Sequence, residues 1–245
     1  MLDHAQKQVF VTGGDKGIGR AIVELFAENN YMVFFSYKSN TQGANDLSER
    51  FQNTKSIQCD LASQVSVDRA VRELGRVSGG IDILVNNAGI DHDCMFSKMD
   101  FKTWHEVLHV NLIQVYHFSH ALLSHMVGNN WGRIVNLASI GAYTSAFGKT
   151  NYAASKAGIV GFTRALALEV AKEGITVNAI SPGAIDTDML HRIPQKYKDQ
   201  LISQIPAKRI GRPQEVAELV FFLCGDKASF ITGQTIHING GQFLS

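Results

Sequence analysis

The chain has 245 residues, of which 45% are hydrophobic and 18% charged, and its net charge at pH 7 is +1. This length and composition fit one α/β domain with a well-buried core and argue against a disordered chain. The near-neutral charge excludes binding modes that need a basic surface over the whole chain, such as the coating of nucleic acid or of an anionic membrane.

Short apolar runs alternate with longer helical patterns. In chain order, the predicted strands are QVFVTG, YMVFFS, KSIQC, IDILVNN, RIVNLAS, ITVNAIS and TIHIN. They are continuously apolar, as expected when helices cover both faces of a parallel sheet. Nothing in the composition marks a linker or a repeat. We predict a single doubly wound α/β domain of the Rossmann type over residues 1–245, with a seven-stranded parallel sheet flanked by helices and an excursion at 186–211.

A glycine-rich turn follows the first predicted strand, in TGGDKGIGRAIVELF, and leads directly into a helix. Gly13, Gly17 and Gly19 allow positive φ and close backbone approach, so that amide groups at the helix N-terminus can bind a pyrophosphate. An ordinary turn between a strand and a helix would carry similar glycines, and this motif alone does not separate the two interpretations.

The end of the second predicted strand bears on which dinucleotide is bound. NAD-binding folds of this type place an acidic residue about 20 positions after the glycine turn, where it binds the ribose 2′-hydroxyl. The stretch VFFSYKSN has no carboxylate, and the next one is Asp46. Lys16 and Lys38 could contact a 2′-phosphate, aided by the Ser36 and Ser39 hydroxyls. The pattern favours NADP(H), and the alternative for either lysine is a solvated surface charge.

Tyr152 and Lys156 are four residues apart in a helical pattern, so their side chains share a face. A phenol has a pKa of about 10, which a nearby ammonium lowers by favouring the phenolate. Ser139, at the end of the strand RIVNLAS, could hydrogen-bond a carbonyl oxygen that receives the proton. The alternative is a tyrosine packed on the helix beside a lysine whose ammonium reaches solvent.

One motif points to different chemistry. HEVLH, at 105–109, matches the H-E-x-x-H pattern of zinc metalloproteases. No separate third ligand can be identified, so we predict no metal site.

Taken in order, these motifs resemble the short-chain dehydrogenase/reductase family over essentially the whole chain. TGGDKGIG resembles that family's cofactor turn, Asp60 its adenine-contacting aspartate, and NNAG at 86–89 the segment beside the nicotinamide ribose. SPGAIDTDM resembles its turn beside the nicotinamide. The family's catalytic tetrad falls on Asn111, Ser139, Tyr152 and Lys156.

The resemblance implies that NADPH delivers hydride to a carbonyl carbon while Tyr152 protonates the oxygen and Ser139 holds it. Lys156 would lower the tyrosine pKa and bind the ribose, and Asn111 would hold a water. Two residues depart from the usual pattern, namely Ala138 and the acidic Asp15 near the phosphates. The expected cofactor contacts are Gly13, Lys16, Gly17, Ile18, Gly19, Lys38, Ser39, Asp60, Asn87, Ala88, Gly89, Tyr152, Lys156, Pro182, Gly183 and Thr187.

Within the family, WGRIVN, FGKTNYAASKAG, IPAKRIGRPQEVA and ITGQTIHINGG resemble reductases of β-ketoacyl thioesters. The implied substrate is therefore acetoacetyl-CoA or a 3-oxoacyl carrier protein, with a (3R)-3-hydroxyacyl product. Asn130 and Glu173 stand where carrier-protein enzymes usually have basic residues, which favours CoA. The basic residues of the excursion could meet CoA phosphates or a carrier protein, or form a solvated helix face: His191, Arg192, Lys196, Lys198, Lys208 and Arg209.

Two other functions stay open, namely a dehydrogenase for another ketone or secondary alcohol and a non-catalytic dinucleotide sensor. The complete tetrad disfavours the sensor. The three cysteines are too widely spaced for a disulfide framework, and the chain has no apolar run suited to a signal peptide or a membrane span. We expect a cytoplasmic protein, and the resemblance implies a homotetramer.

Overall fold

The computed structural model describes residues 7–144, 147–192 and 194–244. Within these ranges all strands belong to one parallel sheet with the order β3-β2-β1-β4-β5-β6-β7. This confirms the predicted Rossmann-type sheet. The strands are β1 (Gln8–Val11), β2 (Met32–Tyr37), β3 (Thr54–Gln58), β4 (Ile83–Asn86), β5 (Gly132–Leu137), β6 (Ile175–Pro182) and β7 (Thr235–Ile238).

Helices cover both faces of the sheet, because alternate residues of each buried strand point to opposite sides. The helices are α1 (Gly17–Glu28), α2 (Thr41–Arg50), α3 (Gln64–Leu74), α4 (Phe101–Leu108), α5 (Gln114–Gly128), α6 (Thr150–Val170), α7 (Asp188–His191), α8 (Gln195–Gln204) and α9 (Pro213–Cys224). Val9 and Val11 of β1 pack in one core cluster with α1 and α9, whereas Phe10 packs in the other with α3, α5 and α6.

A buried amide network fixes the centre of the sheet against the helices. The Asn86 Nδ2 donates to the Asn136 Oδ1 at 2.8 Å, and the Asn136 Nδ2 donates to the Thr163 Oγ1 at 2.9 Å. These bonds join β4, β5 and α6. They hold the carboxyl end of β4 in place, and β4 lies next to β1, where the strand order reverses and where open α/β sheets bind ligands.

The segment predicted as an excursion lies outside the sheet. Ile185 and Gly211 form an isolated parallel bridge, and α7 and α8 lie between them. This segment follows β6, so it starts at the carboxyl edge of the sheet. In the part of the chain that the structure describes, no helix has the length and apolar character to cross a membrane.

Candidate active site

The turn after β1 forms a backbone cradle at the N-terminus of α1. Gly13 and Gly17 have φ values of +66° and +54°, a region that residues with a Cβ rarely adopt. A Cβ on Gly19 would lie only 2.0 Å from the Gly13 carbonyl oxygen. The N-cap residue Lys16 makes no side-chain cap on α1. The first turn of this helix therefore presents its amides in a geometry suited to a pyrophosphate.

The turn after β4 is hydrogen-bonded to this cradle. The Asn87 Nδ2 donates to the carbonyl oxygens of Thr12 and Gly13 at 2.9 and 3.0 Å. The backbone amides of Asn87 and Ala88 both donate to the Thr12 Oγ1 at 3.0 Å. Thr12, the first residue of the TGGDKGIG motif but not one of the expected cofactor contacts, thus couples the two turns.

The end of β2 lies beside the same cradle and carries no carboxylate. The Ser36 side chain is buried, and its Oγ accepts the Gly13 amide at 3.0 Å, so this hydroxyl supports the turn instead of facing a phosphate. The Lys38 Nζ lies 3.1 Å from the Asp60 Oδ2, and both side chains are exposed. Ser39 follows Lys38 and is exposed as well. Lys38 and Ser39 are therefore accessible at the position that distinguishes the two nicotinamide dinucleotides.

The segment after β6 crosses the start of α1. Pro182 ends β6 and Gly183 follows it. Thr187 comes so close to Gly17 that a Cβ on Gly17 would lie 3.2 Å from the Thr187 Cγ2. The Lys16 Nζ pairs with the Asp188 Oδ2 at 3.4 Å. The expected cofactor contacts from β1, β4 and β6 thus meet at one edge of the sheet.

Asn111 lies in a π-helical turn, His109–Ile113, between α4 and α5 and is fully buried. Its Nδ2 donates to the Ile90 carbonyl oxygen at 2.9 Å, and its Oδ1 accepts the Ile90 amide at 2.8 Å. The same Nδ2 donates to the Ser155 Oγ at 3.1 Å. Asn111 therefore ties the turn after β4 to α6. Such π turns occur frequently at functional sites.

Tyr152 and Ser139 lie together at the carboxyl end of β5. Tyr152 is in the first turn of α6, and Ser139 follows β5 and accepts the Gly141 amide at 3.0 Å. Burial raises the pKa of Tyr152, and a hydrogen bond with Ser139 acts in the opposite direction. The phenol and the serine hydroxyl are therefore placed to contact one carbonyl oxygen.

Lys156 lies one turn further along α6, with its Nζ 5.8 Å from the centroid of the Tyr152 ring. The side chain is buried, and its ammonium donates to the Leu137 carbonyl oxygen at 2.6 Å. Burial lowers the pKa of Lys156 to about 8. A Cβ on Gly89 would lie 3.5 Å from this Nζ. The ammonium therefore faces the turn after β4, where the nicotinamide ribose is expected.

Comparisons with known proteins agree with this geometry. The family described as "Enoyl-(Acyl carrier protein) reductase" matches residues 13–242. The chain belongs to the short-chain dehydrogenase/reductase family. It is similar to a 3-oxoacyl-[acyl-carrier-protein] reductase FabG from Aquifex aeolicus (strain VF5), with 41% identity over 242 residues and 97% of each chain covered. The acetoacetyl-CoA reductase of Shinella zoogloeoides is 44% identical over 238 residues, which cover 96% of this chain and 97% of the relative. The acetoacetyl-CoA reductase of Rhizobium meliloti (strain 1021) is also 44% identical, over 239 residues that cover 96% of this chain and 98% of the relative.

As a short-chain dehydrogenase/reductase, the protein is an oxidoreductase that uses a nicotinamide dinucleotide. The residues at the sheet edge fit such a cofactor. Two positive-φ glycines and the N-terminus of α1 suit its pyrophosphate, and the turn after β4 leads from there to Lys156 and Tyr152.

The sequence motifs missed two residues beside Tyr152. Asn151 is fully buried; its Oδ1 accepts the Tyr152 amide at 2.7 Å, and its Nδ2 donates to the His92 carbonyl oxygen at 3.2 Å. The Lys149 Nζ lies 5.6 Å from the centroid of the Tyr152 ring. Both residues stand in the KTNY stretch, but nothing in the sequence shows that the chain near His92 approaches them.

The HEVLH motif runs through α4 into the π turn that contains Asn111. His105 belongs to α4 and His109 to the following π turn, and their rings stack with centroids 5.6 Å apart. Across the described ranges, no three or more histidine, cysteine and acidic side chains are grouped in a way that could hold a metal ion. The motif is accounted for by the helix that leads into Asn111.

Several basic residues of the excursion have partners within the chain. The His191 Nε2 lies 2.6 Å from the Asp186 Oδ1. Arg209 contacts both carboxylate oxygens of Glu215, at 2.6 and 2.8 Å. The Lys208 Nζ donates to a backbone carbonyl oxygen at 2.7 Å. These three side chains therefore contribute to the local structure of the excursion.

Proposed function

We propose that this short-chain dehydrogenase/reductase reduces a β-ketoacyl thioester to the (3R)-3-hydroxyacyl thioester with NADPH. The observation that carries the proposal is the placement of Tyr152 between Ser139 and Lys156, beside the glycine cradle. The relatives that match nearly the whole chain are named as reductases of this substrate class.

The proposed mechanism assigns one task to each residue. The reduced nicotinamide, when bound, supplies the hydride to the carbonyl carbon. Tyr152 donates its phenolic proton to the carbonyl oxygen, and Ser139 holds that oxygen by a hydrogen bond. Lys156 stabilises the phenolate that remains and binds the ribose hydroxyls. Asn111 holds the turn after β4 against α6 through Ile90 and supports a water that links Lys156 to solvent.

The choice of NADPH rests on the end of β2. A carboxylate there would bind a ribose 2′-hydroxyl and repel a 2′-phosphate, and none is present between Met32 and Asn40. Lys38 and Ser39 are exposed at this point and supply a cation and a hydroxyl. Asp60 contacts Lys38, so it orients the ammonium while offsetting part of its charge.

We propose a CoA thioester rather than a carrier-protein thioester as the substrate. Asn130 is exposed and uncharged, and Glu173 adds a negative charge that would repel an acidic carrier. The two acetoacetyl-CoA reductases are 44% identical to the chain, compared with 41% for the Aquifex carrier-protein reductase. A carrier-protein substrate is the alternative that the substrate assay below addresses.

We further propose a homotetramer that works in the cytoplasm. Large apolar side chains are exposed on α6 and towards the C-terminus, including Leu168, Phe230 and Leu244. Burial of such side chains between subunits is a common reason for their exposure in a single chain. The three cysteines are free thiols, which suits a reducing compartment. Light scattering on the purified protein measures the subunit number, and a monomer would contradict the assembly.

To test the proposed function, we would measure the consumption of NADPH by its absorbance with a panel of substrates. Acetoacetyl-CoA should be reduced with NADPH and much more slowly with NADH. A 3-oxoacyl carrier protein should be a poorer substrate, and faster turnover of it would reverse the choice of CoA. Crotonyl-CoA, with a carbon–carbon double bond and no β-keto group, is the negative control suggested by the family description. If neither β-ketoacyl thioester is reduced, the proposal is wrong.

A further inference from the structure

A charged cluster outside the predicted tetrad reaches the ring of Tyr152. The Lys149 Nζ lies 3.3 Å from the Asp91 Oδ2 and 2.5 Å from the Asp93 Oδ1. The same Nζ lies 5.6 Å from the centroid of the Tyr152 ring. We call Lys149, Asp91 and Asp93 the Lys149 cluster. It brings one cation and two anions next to the residue that is proposed to donate the proton.

The cluster is anchored from several sides. The side chain of Asp91 is only 17% exposed, and the Arg192 Nη1 approaches its Oδ1 at 3.8 Å from the segment after β6. Asn151 fastens the intervening His92 carbonyl to the first turn of α6. The segment at 91–93 is therefore held against the beginning of α6 by ion pairs and by a hydrogen bond. These contacts hold Asp91 and Asp93 beside Lys149, whose Nζ lies 5.6 Å from the centroid of the Tyr152 ring.

The two lysines near Tyr152 differ in how their charge is supported. Burial lowers the pKa of Lys156 to about 8, and its ammonium donates to the Leu137 carbonyl oxygen, an uncharged acceptor. Burial also acts to lower the pKa of Lys149, but Asp93 and Asp91 outweigh it and raise that pKa above its ordinary value. Lys149 therefore stays protonated to higher pH than Lys156.

The charged groups around the phenol come from three elements. Lys149 and Lys156 flank Tyr152 along the chain, Asp91 and Asp93 face it from the segment after β4, and Arg192 reaches Asp91 from the segment after β6. Besides burial and the hydrogen bond with Ser139, Asp91 and Asp93 raise the pKa of Tyr152, and Lys149 lowers it. Opposing charges of one cluster therefore act on one hydroxyl.

We propose that Lys149, held by Asp91 and Asp93, is a positioning residue that orients the Tyr152 ring and places a positive charge beside it. This inference rests on the proposed function, because it assigns Tyr152 as the proton donor. Lys149 would be a second lysine, after Lys156, that affects the pKa of Tyr152. Asp91 and Asp93 would set the size of its effect.

The test compares pH profiles in the oxidative direction, with 3-hydroxybutyryl-CoA and NADP⁺, where the reaction needs the phenolate of Tyr152. Removing the cation in Lys149→Gln should move the acid limb of kcat/KM to higher pH by about half to one unit. Removing an anion in Asp91→Asn should move that limb to lower pH. Lys149→Arg keeps the charge and should restore the wild-type limb. Lys227→Gln, an exposed lysine in the turn after α9, is the matched control and should leave the profile unchanged.

A structural role alone would lower the rates of the Lys149 and Asp91 variants without moving the limb in opposite directions, and this result would overturn the proposal. A second measurement does not depend on turnover. The tyrosinate absorbance of each protein, minus that of the same protein with Tyr152→Phe, gives the pKa of Tyr152 directly. If no thioester is turned over, the proposed function is wrong, but an upward shift of the Tyr152 pKa in Lys149→Gln still supports the role of Lys149. If the Tyr152 pKa does not change in Lys149→Gln, the role of Lys149 is wrong. Circular dichroism confirms that each variant is folded.

Discussion

Gly19→Ala tests the cradle that we assign to the pyrophosphate. A Cβ on Gly19 would lie 2.0 Å from the Gly13 carbonyl oxygen and 2.5 Å from the Asn87 Nδ2. The first of these atoms is backbone and accepts a hydrogen bond from the second. Recovery of an ordinary contact of about 3.4 Å would displace the turn by about 1.4 Å, and overpacking of this kind costs about 1–3 kcal/mol. We expect this cost to weaken cofactor binding, because the glycine turn must move away from α1.

The assay is a fluorescence titration with NADPH. If the whole cost appears in binding, the Kd should rise between about fivefold and more than a hundredfold, since about 1.4 kcal/mol corresponds to a factor of ten. Gly128→Ala is the control, because a Cβ there meets no atom within 4 Å and Gly128 is itself exposed at the end of α5. That variant should bind NADPH as the wild type does. An unchanged Kd in Gly19→Ala, with a folded protein, would refute the assignment of the cradle.

Three further predictions concern the cofactor, the core and the buried lysine. Lys38→Ala should weaken NADPH binding about tenfold, because an exposed charge-assisted contact is worth about 1–1.5 kcal/mol. NADH binding should stay within about twofold of the wild-type value. Equal losses of affinity for both nucleotides would contradict a contact between Lys38 and the 2′-phosphate. Asn136→Ala removes the acceptor of the Asn86 side-chain amide inside the sheet. The free energy of unfolding, measured in urea, should fall by about 1–3 kcal/mol. A negligible change would show that the buried amide network does not stabilise the protein. In the cofactor-free protein, the pKa of Lys156 is about 8 when folded. The unfolded pKa is about 10.4, so the unfolded state binds more protons between these values and stability rises with pH across that window. Lys156→Met should flatten this rise in calorimetric unfolding midpoints, and equal slopes in the two proteins would contradict the buried lysine.

The sheet was predictable because each inner strand is a short, continuously apolar run, which parallel sheets covered on both faces require. β7 was also identified, although its sequence, TIHI, alternates polar and apolar residues and its four residues are only partly buried because the strand forms an edge of the sheet. Tyr152 and Lys156 were predictable because a spacing of four residues on a helix is a local property. Their grouping with Ser139 was implied by the resemblance to the short-chain dehydrogenase/reductase family.

The remaining features depend on contacts between distant parts of the chain. Lys149 and Asp91 are 58 residues apart, and Thr12 and Asn87 are 75 apart, so no local pattern indicates that they touch. The π turn at His109–Ile113 was also hidden, because an uninterrupted helical sequence gives no sign of the extra residue that it accommodates. Tertiary packing determines these two contacts and the π turn, and the pattern of apolar residues in the sequence does not specify that packing.

The central claim is that Tyr152 donates the proton in the reduction of a β-ketoacyl thioester. The most direct test measures NADPH consumption with acetoacetyl-CoA by the wild type and by Tyr152→Phe, with NADPH binding titrated on the same samples. We predict turnover by the wild type, a loss of at least about a hundredfold in the variant, and a Kd for NADPH within about twofold of the wild-type value, because only the proton donor is removed. Turnover by Tyr152→Phe at the wild-type rate would contradict the account.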